Sequence, residues 1–292
     1  MNLSKGIIMR WKWQNIEEKF IQLLMISSFG LIIVSLLLIL ITIIAKGLPS
    51  LSWEMISQPP KGGFYLGKEG GIFNAIIGSL YLALGGTFFA LLVSFPLALL
   101  LNTYLTHSKW ADWVRLSLDI LWGIPSITYG AFGFTLMIFL GLKASLLGGI
   151  LTLACLEFPI MTRAMDEVIR RVPSDLPRAA YALGSTNLET AFLVLTRQIL
   201  PGVATAILLA FGRGIGDAAS VLFTAGYTDR IPDSLFSPVA SLPLAVFFQL
   251  GTPFPEVQQR AYSAALILTI LVLGISLLSR WLSHYLDRYS IH

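Results

Sequence analysis

A single cysteine in 292 residues, Cys155, rules out an internal disulfide, and its place in an apolar run offers no companion thiolate for a metal. The three histidines, His107, His284 and His292, have no spacing that resembles a metal site. No Walker-type glycine loop is present, so any nucleotide would have to be bound by a partner, and no cofactor is expected in this chain. Nothing marks a Ser-His-Asp nucleophile set, and the chain is expected to be a non-catalytic subunit. Charge is scarce as well, at 12% of residues with a net charge of +4. That slight excess follows from Lys and Arg gathered on one side of a membrane, which leaves little support for nucleic-acid binding.

What fills the sequence is apolar: 55% of residues, in continuous runs longer than the roughly 20 that a helix needs to cross about 30 Å of hydrocarbon. Continuous runs exclude barrel strands, whose lipid-facing residues alternate with polar ones. The expected fold class is an all-α polytopic membrane protein with six transmembrane helices, at Ile21–Ala45, Phe73–Leu101, Val114–Leu142, Ser145–Met161, Gly202–Phe223 and Ala261–Trp281. The first run is too long for a signal h-region and has no small-x-small cleavage pattern after it, so it reads as a retained helix. The organisation is then an N-terminal arm (1–20), a first helix with an outer loop (21–72), a core (73–283) containing a loop at 173–201, and a tail (284–292).

Lys and Arg placement orients the chain. Lys5, Arg10, Lys12 and Lys19 of the arm fall on one side with Lys109 and Arg115, with Arg163, Arg170, Arg171, Arg178 and Arg197, and with Arg280 and Arg288. The other side holds only Lys46, Lys61, Lys68, Lys143, Arg230 and Arg260. Both termini and the segment Pro173–Pro201 are therefore expected in the cytoplasm.

That segment reads as helix, glycine turn, helix. Leu176, Ala179, Ala180 and Leu183 share one helical face, and Gly184 is a natural stop where φ turns positive. Thr186 and Glu189 have capping-box spacing for a second helix striped by Leu188, Phe192, Leu195 and Ile199. The small Ala179, Ala180 and Ala182 permit close approach of another surface, with Asp175 and Arg178 at its rim. The alternative is a hairpin that merely packs under its own bundle.

Ala179, Ala180 and Gly184, followed by Leu200 and Pro201, resemble the Glu-Ala-Ala-xxx-Gly loop of permease subunits of ATP-binding-cassette importers, with Arg178 where glutamate is usual. The resemblance implies a MetI-like permease fold whose coupling helix fits a groove on an ATPase subunit. Gly123 to Gly133, containing Pro125, Ser126, Tyr129 and Gly130, resembles the Gly-Val-Pro-Ser-Ile-Val-Tyr-Gly-Leu-Phe-Gly run of phosphate importer permeases. Gly70-Gly71-Ile72, Gly78 to Leu82 and Ser241 to Leu244 are similar to the PstA-type branch. What this implies is a bacterial or archaeal inner-membrane assembly with a PstC-type second permease, two PstB-type ATPase subunits and a PstS-type phosphate-binding protein, periplasmic or lipid-anchored.

An independent physical reading concerns Arg213, about twelve residues beyond Pro201 and so roughly 18 Å along the fifth span. A cation at that depth costs at least about 2.5 kcal/mol and needs a partner or a purpose. Asp217, four residues on, is the expected partner, and a guanidinium suits an oxyanion because its planar fork donates two parallel hydrogen bonds. The family stretch Arg-x-x-Gly-Glu-Thr-Ala-Pro stands here as Arg213 to Ser220 with aspartate for glutamate. Arg213 and Asp217 are thus the candidate substrate-path residues, against a purely structural ion pair. Asp119 reads as solvated near the inner end of the third span. Glu157 reads as structural, in a polar pocket at the kink before Pro159. Gly130, Gly133, Gly148, Gly149, Gly212, Gly214 and Gly216 read as close-packing positions. Lys46–Gly71 and Gly226–Gln259 are candidate outer docking loops, the latter with a re-entrant or lid-like patch at Leu242–Leu250. Sulfate, molybdate or a phosphonate as cargo, an ion-coupled secondary transporter, and a non-transporting scaffold are the competing readings.

Overall fold

An apolar segment in hydrocarbon must satisfy its own backbone hydrogen bonds, and the described residues are accordingly helical apart from loops and one short ribbon. The computed structural model describes residues 3–61, 69–106 and 108–286, and the side chains of 3–16, 69, 284 and 286 are not described. Expectations for Lys68, His107, Arg288 and His292, and for the side chains of Lys5, Arg10, Lys12 and His284, lie outside the described residues.

Helix α1 (Leu3–Gly47) runs unbroken through the expected arm and first span. It joins the rest at its end, where Ser263 Oγ donates to Gly47 O at 2.7 Å and a Cβ on Gly47 would lie 2.6 Å from Tyr262 O. A short helix α2 (Trp53–Ser57) and the two-residue antiparallel strands β1 (Pro60–Lys61) and β2 (Glu69–Gly70) form the outer loop.

The centre is the pair α3 (Phe73–Thr103) and α6 (Leu146–Arg170). Gly86, Ala90, Ser94 and Ala98 recur every fourth residue on α3 and all are buried, and these small side chains let the backbones approach; a Cβ on Gly86 would lie 2.8 Å from Leu153 Cβ of α6. Gly149 answers from α6 against Leu82, while Gly148 lies against Met137. Pro159 sits inside α6 without ending it, and α6 extends to Arg170, well past the expected limit at Met161.

Two expected spans need correction. Val114–Leu142 is not one helix: α4 (Lys109–Gly123) and α5 (Ser126–Phe139) meet at 98°. Pro125 causes the break, since it biases Ile124 towards extended backbone and has no N–H to continue the ladder. Gly202–Phe223 is displaced: α8 (Asn187–Glu189), a π-helical stretch (Thr190–Leu195) and α9 (Thr196–Gly216) form one 30-residue candidate span, and residues beyond Gly216 are turns. The second helix expected in the cytoplasmic loop is therefore the inner end of the fifth span. Among the described residues five helices are long and apolar enough to cross a membrane, six if the bent pair counts as one.

After α9, α10 (Leu242–Leu250) inserts its first turn beside α3, where Leu242 N donates to Ser79 Oγ at 2.7 Å and Leu242, Leu244 and Ala245 are fully buried. Helix α11 (Pro255–Leu286) closes the bundle against α1, α9 and α10.

Candidate translocation path and coupling surface

The motif around Pro125 builds a corner. Tyr129 Oη donates to Leu121 O at 2.8 Å, tying α5 back across the break to α4. Gly130 is buried where a Cβ would lie 2.7 Å from Ser220 O, so this glycine lets α5 rest on the turn that follows Asp217. Pro125, Ser126, Tyr129 and Gly130 thus set the angle of α5 and support the end of α9. Gly133 closes on Thr152 in the same manner.

Arg213 lies in the last turn of α9 with its side chain on the exposed surface of the single chain, near the far end of the span Asn187–Gly216 and not at the mid-membrane depth expected, because the span begins before Gly202. The expected ion pair with Asp217 does not form among the described residues, because the helix ends at Gly216 and Asp217 adopts extended backbone as its C-cap. The one-turn spacing that would stack the two side chains is lost. Asp217 Oδ2 instead accepts from Ser220 N at 2.8 Å, stabilising the turn. Arg213 is left as a cation without a carboxylate partner, at the head of a stripe Gln198, Gly202, Thr205 and Leu209 that lines a cleft of about 450 Å³ between α6, α9 and α11.

Behind Arg213 lies Glu157, fully buried. Thr87 Oγ1 donates to its Oε2 at 2.9 Å, whereas Oε1 has no hydrogen-bond partner and fills the space that a side chain at position 214 would need. Gly214 therefore lets α9 pass close to α6 with a carboxyl group between them. The polar pocket expected near Pro159 exists, and it braces the turn that carries Arg213. The packing role expected of the glycines holds for Gly130, Gly133, Gly148, Gly149 and Gly214. Gly212 has only Ile275 nearby and Gly216 faces open space.

A charged cluster at the inner end was missed by the sequence reading. Asp166, completely buried on α6, accepts from Arg115 Nε at 3.0 Å and Nη2 at 3.1 Å, from Arg163 Nη1 at 2.8 Å and from Asn102 Nδ2 at 2.7 Å. Arg163 Nε also donates to Asp119 Oδ1 at 2.6 Å, so Asp119 is a half-exposed partner in this cluster, not a merely solvated acid. Five side chains from α3, α4 and α6 are locked together one turn before the inner loop. The available signal was the i, i+3 pair Arg163 and Asp166, but the arginines had been attributed to the positive-inside bias alone.

The coupling segment keeps its expected local form. Helix α7 (Asp175–Ala182) is followed by Gly184 at φ +87°, and Thr186 and Glu189 make the reciprocal capping box. Asp175 and Arg178 form an exposed pair at 3.7 Å. Of the expected apolar face, Ala180 is buried and Leu176 half-buried, while Ala179 is exposed and Leu183 is 89% exposed.

On the other side, Tyr227 packs edge-on against Phe248 of α10 at 5.1 Å, and burial pushes its phenol well above the usual range. Burial also raises the nearby Asp229 carboxyl, whereas a hydrogen bond from Ser237 holds Asp233 low.

Helices long and apolar enough to cross a membrane, a bent third element and an exposed loop after α6 are the features of a polytopic membrane subunit. Residues 94–290 match the family described as binding-protein-dependent transport system inner membrane component, and the chain belongs to that family, within its PstA phosphate-permease branch. It is 31% identical over 276 residues to the phosphate transport system permease protein PstA of Haemophilus influenzae, spanning 93% of this chain and 95% of that protein. It is 36% identical over 249 residues to PstA of Xylella fastidiosa strain 9a5c, spanning 82% and 83% respectively. A solved structure of the MetNI methionine ABC transporter in an inward-facing conformation superposes with a TM-score of 0.60 at 18% identity, covering 73% of this chain and 95% of that one, which shows the shared fold.

Proposed function

We propose that this chain is the transmembrane permease subunit of an ATP-driven importer of inorganic phosphate and forms half of its translocation path. The observation that carries the reading is the near full-length similarity to PstA proteins, joined to an exposed arginine on a membrane helix with no carboxylate partner among the described residues. Arg213 holds the anion through its guanidinium fork, and Asp217 shapes the turn behind it. Permeation continues along the cleft below Arg213 towards the inner side. The core 73–283 does this work; the arm 1–20, the first helix with its loop 21–72, and the tail 284–292 surround it, with both termini in the cytoplasm.

The partners are a PstC-type permease, two copies of a PstB-type ATPase that bind ATP and magnesium, and a PstS-type binding protein received by the outer loops. Loop 173–201 takes up the ATPase motion. Asp175, Leu176, Arg178, Ala179, Ala180, Leu183 and Gly184 make the contact, which must differ in affinity between the two ATPase states because equal affinity shifts nothing. Radiolabelled phosphate should enter proteoliposomes only when ATP and all subunits are present. Uptake undiminished without the ATPase would support an ion-coupled carrier, and preferential uptake of sulfate or molybdate would replace the cargo. Leu183→Glu, at a side chain 89% exposed in the single chain, is expected to reduce recovery of the ATPase with the solubilised permease by about tenfold or more, since a charge at an apolar contact loses over about 1.4 kcal/mol. Unchanged recovery would make the loop a hairpin packed only on its own bundle.

A further inference from the structure

Helix α4 is 15 residues long and bent 98° from α5, and apart from the half-exposed Leu116 and Trp122 its surface falls into three sectors. Ala111, Val114, Arg115 and Leu118 turn inward onto Leu101, Phe158 and the Asp166 cluster. On one outer flank Trp110, Trp113 and Ile120 are 73%, 65% and 60% exposed, with Ser117 among them donating its hydroxyl to Trp113 O at 2.9 Å. On the opposite flank stand Asp112 and Asp119. Helix α5 runs beside α6, with Gly133 against Thr152 and Met137 against Gly148, and α4 departs from it at 98°. The inner face of α4 meets α3 at Leu101, whose carbonyl accepts from Arg115 Nη2 at 3.5 Å, and meets α6 at Arg163 and Asp166, close to the ends of both helices at Thr103 and Arg170.

We propose that α4 is an interfacial helix lying in the plane of the membrane at its cytoplasmic boundary, with the Trp110, Trp113 and Ile120 flank seated in phospholipid at the junction of headgroups and acyl chains. The occupant follows from the juxtaposition. A helix that turns at nearly right angles from α5, which itself packs along the membrane-spanning α6, and lies level with the ends of its neighbours has lipid on one flank and water on the other. The residue types match both: tryptophan favours that junction, where its ring is apolar and its N–H is hydrated, and the carboxylates face the aqueous side. The Asp166 cluster then moors this lipid-seated helix to α6, four residues before the chain leaves that helix for the coupling segment. Motion of α7 is exerted against a support fixed in the bilayer surface.

The cytoplasmic side rests on the orientation proposed above; the in-plane lie does not. The test places single cysteines at positions 110, 113 and 120, and at 112 on the other flank, in a Cys155→Ala background of the assembled transporter in phospholipid vesicles. Nitroxide labels at the first three should collide with oxygen in preference to a nickel complex and lie at equal depth within about 5 Å, with the preference reversed at 112. A depth gradient near 15 Å between 110 and 120, the rise of ten helical residues, would mean that α4 penetrates the bilayer and would overturn the proposal. So would exclusion of both reagents from 110, 113 and 120, which is the result for a flank covered by another subunit. A membrane-impermeant thiol reagent should reach 112 from the ATPase side only. Labelling from the opposite side with equal depths retained would overturn the orientation and leave the in-plane lie standing.

Discussion

Replacing Arg213 by glutamine should lower ATP-dependent phosphate uptake by about 100-fold or more while leaving the permease in the membrane and bound to its partners. The magnitude follows from two charge-assisted hydrogen bonds from one guanidinium to the anion, each contributing about 1.5 to 3 kcal/mol, where about 1.4 kcal/mol is a factor of ten. The protein should tolerate the change because Arg213 has an exposed side chain and no ion pair among the described residues, so no buried partner is orphaned. Arg213→Lys keeps the charge but not the fork, and intermediate uptake is expected from it. Uptake measured in proteoliposomes, alongside recovery of the other subunits, separates transport from assembly. Normal uptake by the glutamine variant would remove Arg213 from the path.

A second large effect is expected at the inner end, and on stability in place of transport. Asp166→Ala removes the one carboxylate that accepts from Arg115, Arg163 and Asn102 together. Both arginines are mostly buried and are left with only the exposed Asp112 at 3.8 Å and the half-exposed Asp119 at 2.6 Å, so the variant strands much of their charge, a change that costs about 3 kcal/mol. The purified variant should unfold in detergent at a markedly lower temperature and accumulate poorly in membranes. Asp119→Ala breaks only a half-exposed pair, and Arg163 keeps Asp166, so its cost should stay below about 1 kcal/mol. Equal thermal stability of the two variants would contradict the reading of Asp166 as the centre of the cluster.

These two positions also mark what sequence reading reaches and what it does not. Arg213 stands out in the sequence because a cation in an apolar run is costly, and its part in the path is the proposal that the glutamine variant tests. Its supposed partner was not legible, because the inference assumed that the helix continues to residue 217. The helix stops at Gly216, and a helix end cannot be read to one residue from composition. The cluster around Asp166 was hidden for a different reason. Its members are 64 residues apart between Asn102 and Asp166 and 51 apart between Arg115 and Asp166, and periodicity relates only neighbours along one element. The same limit hid the contact of Glu157 with Gly214.

By itself the sequence determined what depends on local chemistry: a membrane protein of several helices, the capping box at Thr186 and Glu189, the left-handed turn at Gly184, and the short apolar helix at Leu242. Each of these is decided within a few residues, by burial of apolar runs or by satisfaction of nearby backbone groups. Only the tertiary structure decided that the third apolar segment folds at Pro125 into two helices with different surroundings, and that the coupling segment's second helix continues into the fifth span. It alone decided that a buried aspartate gathers cations from α4 and α6. Hydropathy registers how much apolar surface must leave water, while the direction in which a helix points depends on what its neighbours leave room for.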